Sequence, residues 1–399
     1  MRILWLSNAP HCNSGYGVCA DNICTRLAQH HDVAIFAFWG LKGGMVNWKG
    51  VLVYPNDPED VGNTLAQLYY EDFQADLIIS QMDVWVLDQA QFGMMNWVPY
   101  VPIDTSTLPP DIKSHLQTQV HALAMSRHGE RLLRENGLSC DYIPHGVDTN
   151  LYQPDEAVRQ QVRATLNLEG KFVVGCVGAN RDDRKNWEAM LEVFAIFHRQ
   201  HPDSHLIAYT QPRQKGGILD MYAYCHELAI GEAVTFPTRI LLARGATGAE
   251  MAQIYNAMDI FMLLSKGEGF GLPIIEAQAT GVPVVVSDAT SMTELCASGW
   301  LVKVGREEWS YHGARRAVVD WDDAVSKLNS AYACWQTNQW NARKEEARQF
   351  ALRFDWDKVV KDYWLPVLEK LGKTYHRWRV PDIAFESDHE DQILQPASL

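Results

Sequence analysis

No two of the eight cysteines stand at a CxxC spacing; Cys12, Cys19, Cys24, Cys140, Cys176, Cys225, Cys296 and Cys334 are scattered along 399 residues. That scatter excludes the usual zinc ligand spacings. In so long a chain it predicts reduced, mostly buried thiols and a cytoplasmic setting. No apolar run approaches about 18 residues, so no membrane span is expected. Positive charge is also short: the formal net charge is -14. This disfavours extended binding to nucleic acid, which depends on neutralising phosphates. The opening MRILWLSNAP holds one basic residue and lacks a signal cleavage site. No GxGxxG follows its apolar run and no acid is placed for a ribose, which argues against a dehydrogenase. No internal repeat is visible.

Apolar residues are plentiful, at 47%, enough for a packed core and, at this length, for two domains. Short apolar runs alternate with helical patterns, which predicts an α/β fold with parallel sheets covered on both faces. Strands are expected at 2–6, 33–38, 75–79, 97–103, 122–126 and 140–144, with a helix near 18–30. The turn-rich PHGVDTNLYQP (144–154) reads as a boundary. The alternation then restarts, with strands at 171–177, 205–209, 233–236, 260–264 and 282–287 and a helix at 187–201. A first domain is therefore expected over residues 1–148 and a second over 149–353. A long amphipathic helix at 354–371 and a loosely ordered acidic tail at 373–399 complete the chain.

One stretch carries most of the chemistry: SKGEGFGLPIIE, residues 265–276. Pro273 suits the first turn of a helix, where its missing N–H costs nothing, and Gly281 sits where a helix would stop. A helix over 272–280 is thus entered from a glycine loop at the carboxyl end of a strand, where open α/β sheets bind ligands. Its free N–H groups favour a phosphate. Gly269 and Gly271 let main chain approach closely. Glu276, one turn into the helix, could accept hydrogen bonds from a ribose diol, and Glu268 could reach the hydroxyls of a group beyond the phosphates.

EGFGLPIIE resembles the E-x7-E signature of the retaining glycosyltransferases of family 4 (glycosyl transferases group 1). YIPHGVDTNLYQP, VGANRDDRKNWEAMLEVFAIF and ATGVPVVVSD resemble further segments of that family, in its order. The resemblance covers about residues 1–371. It implies a GT-B fold: two Rossmann-like doubly wound domains facing across a cleft, with the last helix crossing back to the first domain. It implies that the first domain binds the acceptor and the second a nucleotide sugar, held by Gly269, Phe270, Gly271, Leu272 and Glu276. Glu268 and Lys185 take catalytic places. The family arginine usually follows the glycine, where this chain has Ala179, so Arg181 or Arg184 must serve instead. Positive groups aimed at a departing diphosphate commonly contribute about 3 kcal/mol each.

Gly15 and Gly17, in NSGYG after the first strand, resemble the loop that lets the first domain approach the donor. Asp104 stands near the place of a family histidine and could orient the acceptor or stabilise positive charge on the sugar. Arg239 falls in a region that lines the base pocket in relatives. Asp355-Trp-Asp357 reads as a helix cap rather than a metal site. Trp48, Trp85 and Trp97 lie in the acceptor half, although with 14 tryptophans core packing accounts for most of them.

The expected activity is transfer of a hexose from UDP- or GDP-sugar to a hydroxyl acceptor of unknown class, with retention and with neither cofactor nor metal. Nucleic acid is not the expected acceptor. Peripheral membrane contact is expected to be weak, since the first helix has only Arg26 as a firm cation. A non-catalytic nucleotide-sugar binder and a nucleotide-sugar epimerase on the same scaffold are the alternatives.

Overall fold

The structure, a computed structural model, describes residues 1–57, 62–213 and 217–375. From residue 376 onward the expected acidic tail lies outside them. The first half forms β1 (Arg2–Asn8), β2 (Asp32–Trp39), β3 (Val46–Trp48), β4 (Val51–Tyr54), β5 (Leu77–Gln81), β6 (Trp97–Val101), β7 (Ala122–Ala124) and β8 (Cys140–Tyr142). These pair in the order β3-β4-β2-β1-β5-β6-β7-β8, parallel apart from the short β3–β4 pair. The second half forms β9 (Phe172–Val177), β10 (Ser204–Tyr209), β11 (Val234–Thr235), β12 (Ile260–Leu263), β13 (Val284–Ser287) and β14 (Gly299–Val302). They make an all-parallel sheet in the order β11-β10-β9-β12-β13-β14. An antiparallel hairpin of β15 (Val304–Trp309) and β16 (Arg315–Val319) follows.

β1, β5, β6 and β9 are buried along almost their whole length. That is why their sequences are continuous apolar runs: helices cover both faces of a parallel sheet. The first helix starts at Gly15, three residues before its expected place, because the Ser14 side chain accepts a hydrogen bond from the Gly17 N–H at 3.1 Å and caps it. The expected strand 97–103 stops at Val101, before Pro102.

The polypeptide crosses between the sheets twice, side by side. Val147 N–H donates to Phe354 O at 2.8 Å, and Thr149 Oγ1 donates to Asp355 Oδ2 at 2.5 Å. Arg348 fastens the crossing by donating to the carbonyls of Thr149, Tyr152 and Ala279. Helical structure then runs from Trp356 to Gly372, with a π-turn at Val360–Trp364, and Asp355 caps it through Asp357 N–H. This segment returns to the first sheet. Trp364 is fully buried, with its ring centroid 5.2 Å from Trp5 and 5.1 Å from Tyr100, both edge-on. Such pairs contribute roughly 0.5–1.5 kcal/mol each beyond the area they bury.

All eight cysteines are unpaired, and five are buried. Among the described residues no helix is long and apolar enough to cross a membrane. Trp97 is core and Trp48 is half-buried, donating to Asp21, whereas Trp85 is exposed.

Candidate active site

The loops that leave β9 and β12, neighbours in the second sheet, are laced together. After β9, Asp182 accepts from Arg184 N–H and starts a single 3-10 turn, Asp183–Lys185. Asn186 ends that turn at φ 54°, a conformation asparagine tolerates, and its side chain donates to Leu264 O at 2.9 Å. Lys266 N–H donates to Arg184 O at 2.8 Å. The turn is thereby pinned beside the loop that carries Glu268.

Glu268 is the centre of this arrangement and is only 5% exposed. Lys185 Nζ lies 2.6 Å from Oε1, Arg184 Nη1 lies 2.8 Å from Oε2, and Ser265 Oγ donates to Oε1 at 2.6 Å. Burial alone would raise this carboxyl, but Lys185 and Arg184 outweigh it and hold it at about 2. Lys185 is pushed down by burial, with Arg184 adding and Glu268 opposing. Arg184 is raised: burial works against its charge, and Glu268 and Asp104 overcome that. Its Nε lies 3.3 Å from Asp104 Oδ2, an ion pair between the two halves of the molecule.

Behind the loop, Ser291 Oγ donates to the carbonyls of Glu268 and Phe270, and Glu268 N–H donates to Thr290 Oγ1 at 3.0 Å. Thr290 holds φ 51°. Such a value is an outlier for a β-branched residue, and outliers of this kind cluster at functional sites.

Gly271 precedes the helix Leu272–Ala279 at φ 108°, a conformation that excludes side chains in practice. Pro273 stands in the first turn and Gly281 stops the helix at φ 75°, as the sequence predicts. Glu276 accepts from Tyr255 Oη at 2.8 Å, and the Tyr152 hydroxyl lies beside it. Burial pushes its carboxyl up to about 7, with the two hydroxyls opposing.

The first domain closes on this loop. A Cβ on Gly267 would stand 1.8 Å from Asp104 O, and one on Gly269 would stand 2.6 Å from Pro102 Cβ. Gly15 faces Leu272, and Asn13 Nδ2 donates to Arg244 O at 3.1 Å. Asp83, just past β5, is exposed at its outer side, yet desolvation by the surrounding protein pushes its carboxyl up to about 6, with Asp104 adding and Arg184 opposing. Tyr16 lies among Asp83, Arg184 and Asp104.

The structure therefore brings Asp104, Arg184, Lys185 and Glu268 together and sets Gly15, Gly269, Gly271, Leu272 and Glu276 around them. Four other expected residues present no side chain to this cluster. Arg181 is exposed, because the 3-10 turn presents Arg184 to the cleft instead. The Phe270 ring turns away to pack on His145 and Phe354, leaving only its main chain for a ligand. Gly17 is required by its own turn, since a Cβ there would meet Cys12 O at 2.3 Å. Arg239 is exposed on the first turn of the helix Arg239–Arg244. Sequence reasoning missed Asp83, Tyr16, Tyr152, Tyr255 and Ser291. Only Tyr16 carried a local signal, inside NSGYG; the others meet the site through long-range packing.

Two facing, parallel-sheet Rossmann-like domains with a helix returning from the second to the first define the GT-B class of fold. Solved structures agree: a sucrose-phosphate synthase from Thermosynechococcus elongatus superposes with a TM-score of 0.73 at 17% identity, over 94% of this chain and 100% of that one. Anabaena HepE, solved in complex with UDP-glucose, gives 0.71 at 17% identity over 92% and 100%. Residues 171–317, most of the second domain, match the family model described as glycosyl transferases group 1. Among curated relatives, a D-inositol 3-phosphate glycosyltransferase of Gordonia bronchialis is 27% identical over 55% of this chain and 45% of its own length. A mannosylfructose-phosphate synthase of Agrobacterium fabrum is 28% identical over 39% and 35%. The chain thus spans less than half the length of these relatives.

Proposed function

We propose that the chain is a retaining glycosyltransferase that moves a hexose from a UDP- or GDP-sugar to an acceptor hydroxyl. The observation that carries this reading is the convergence of Lys185 and Arg184 on Glu268, beside the N-terminus of the helix that holds Glu276. Two cations and a helix N-terminus at the carboxyl edge of a parallel sheet suit a nucleoside diphosphate. The group 1 family match falls on the same residues.

In this reading the second domain holds the donor. Glu276 takes the ribose diol, the helix N-terminus and Lys185 take the diphosphate, and Glu268 takes hydroxyls of the transferred sugar. The C1–O bond to the diphosphate breaks as the acceptor oxygen bonds to C1 from the same face. The acceptor proton passes to a diphosphate oxygen. Lys185 and Arg184 stabilise the charge that grows on the leaving group, so this route calls for no metal and no protein nucleophile. Asp104 and Asp83, on the first domain, orient the acceptor hydroxyl. Closure of the domains keeps water from the donor.

Donor turnover tests the proposal. Lys185→Ala should cut transfer from the preferred UDP- or GDP-sugar by about 100-fold or more. Unchanged turnover in Lys185→Ala and Glu276→Ala together would remove the assignment.

A further inference from the structure

The hairpin of β15 and β16 lies outside the donor machinery, yet it spans the seam between the domains. Ser106 N–H, in the first domain, donates to Arg315 O at 2.8 Å. Gly313, in the hairpin turn, lies against Pro110. At its root the hairpin is tied to the Glu268 loop: Ala317 N–H donates to Lys266 O at 3.0 Å, and Lys266 Nζ pairs with Glu308 at 2.5 Å.

Along this strap runs a row of rings that reaches into the first domain. The Tyr311 and His312 centroids are 3.8 Å apart, and His312 lies 5.3 Å from Trp85. Trp85 stands two residues from Asp83, at the mouth of the cleft. Tyr311 is 77% exposed and Trp85 39%, and Trp309 on β15 is also open to solvent. Single exposed rings are ordinary on protein surfaces, but a contiguous row ending at a catalytic cleft marks a contact surface.

The chemistry of the row selects its ligand. Exposed Arg306, Glu307 and Arg315 flank the rings and offer hydrogen-bond partners of both kinds. Sugar rings present apolar C–H faces to aromatic planes and hydroxyls to such a rim. A lipid surface would instead call for a cluster of unpaired cations, whereas Arg306 and Arg315 are each paired with a glutamate of the same hairpin.

We propose that residues 304–319 and Trp85 form a platform for a carbohydrate acceptor, which stacks on Tyr311, His312 and Trp85 and leads toward Asp83 and Asp104. The word "acceptor" rests on the proposed glycosyl transfer; the saccharide site itself does not. Calorimetric titration of the full chain with maltohexaose, cellohexaose, chitohexaose and an α-linked mannohexaose tests it, with UDP and GDP titrated in parallel. At least one hexasaccharide should bind. Its Kd should rise at least tenfold in Tyr311→Ala and in Trp85→Ala and recover in Tyr311→Phe, while nucleotide affinity stays within twofold. Saccharide binding without nucleotide binding would uphold the platform while removing the donor reading. No hexasaccharide binding to the unaltered chain, or equal binding in the variants, would overturn the platform. So would loss, in the same variants, of association with anionic phospholipid vesicles in place of saccharide binding.

Discussion

Lys185 Nζ lies 2.6 Å from Glu268 Oε1 in a loop where little water reaches either group. Both charges depend on each other and on Arg184, so the site is electrostatically tense. A carboxyl held at about 2 against an ordinary 4.5 adds stability that is present above pH 4.5 and is lost as pH falls toward 2. Glu268→Gln should therefore lower stability at neutral pH by about 3 kcal/mol, the low end for breaking a buried pair. The deficit should shrink below pH 4. Denaturant unfolding of both proteins at pH 7 and pH 3 reads the difference; an equal deficit at both would show that the charge is not the cause.

Arg184 and Arg181 are three residues apart in RDDRK, but only Arg184 reaches Glu268 and Asp104. Arg184→Gln should reduce transfer by about 100-fold, in line with the loss of one charge-stabilising donor. Arg181→Gln should stay within a factor of about three. Steady-state rates with a single donor separate them, and the reverse ranking would return the role to Arg181.

Glu276 titrates at about 7 among tyrosine hydroxyls. Its raised value means that the stability it contributes is full below pH 4.5 and is lost as pH rises through 7. A shift of that size corresponds to up to about 3 kcal/mol. Glu276→Gln should flatten this slope. Nucleotide binding should run the other way, strengthening from pH 6 to pH 8 as the ionised carboxylate becomes available to the ribose. Calorimetry with UDP and GDP over that range checks it; a pH-independent Kd in the unaltered protein would contradict the role given to Glu276.

Gly267 sets how closely the domains meet. Alanine there would bring its Cβ to 1.8 Å from Asp104 O, so Gly267→Ala should hold the cleft open. Small-angle scattering should show a larger radius of gyration than for the unaltered chain, with transfer reduced at least tenfold and helical content unchanged. An identical scattering profile would mean that the loop yields locally.

Wherever one segment specifies its own geometry, the sequence was a sound guide. Gly271, Pro273 and Gly281 delimit a helix by local backbone preference, and the observed Leu272–Ala279 matches to one residue. The apolar runs of β1, β9 and β12 declare themselves because both faces are buried. The choice between Arg181 and Arg184 was beyond reach, since it turns on one 3-10 turn and the αL conformation of Asn186. Tyr152 and Tyr255 reach Glu276 only through packing across more than twenty residues. The β15–β16 hairpin escaped notice because β15 is mostly exposed and β16 is only five residues long, leaving little alternation to read.

The most direct measurement is a crystal structure with UDP or GDP bound. The account predicts the diphosphate against Lys185, Arg184 and the main-chain N–H groups that open the helix Leu272–Ala279, with the ribose hydroxyls on Glu276. A nucleotide seated elsewhere, with Lys185 and Arg184 still closed on Glu268, would contradict it.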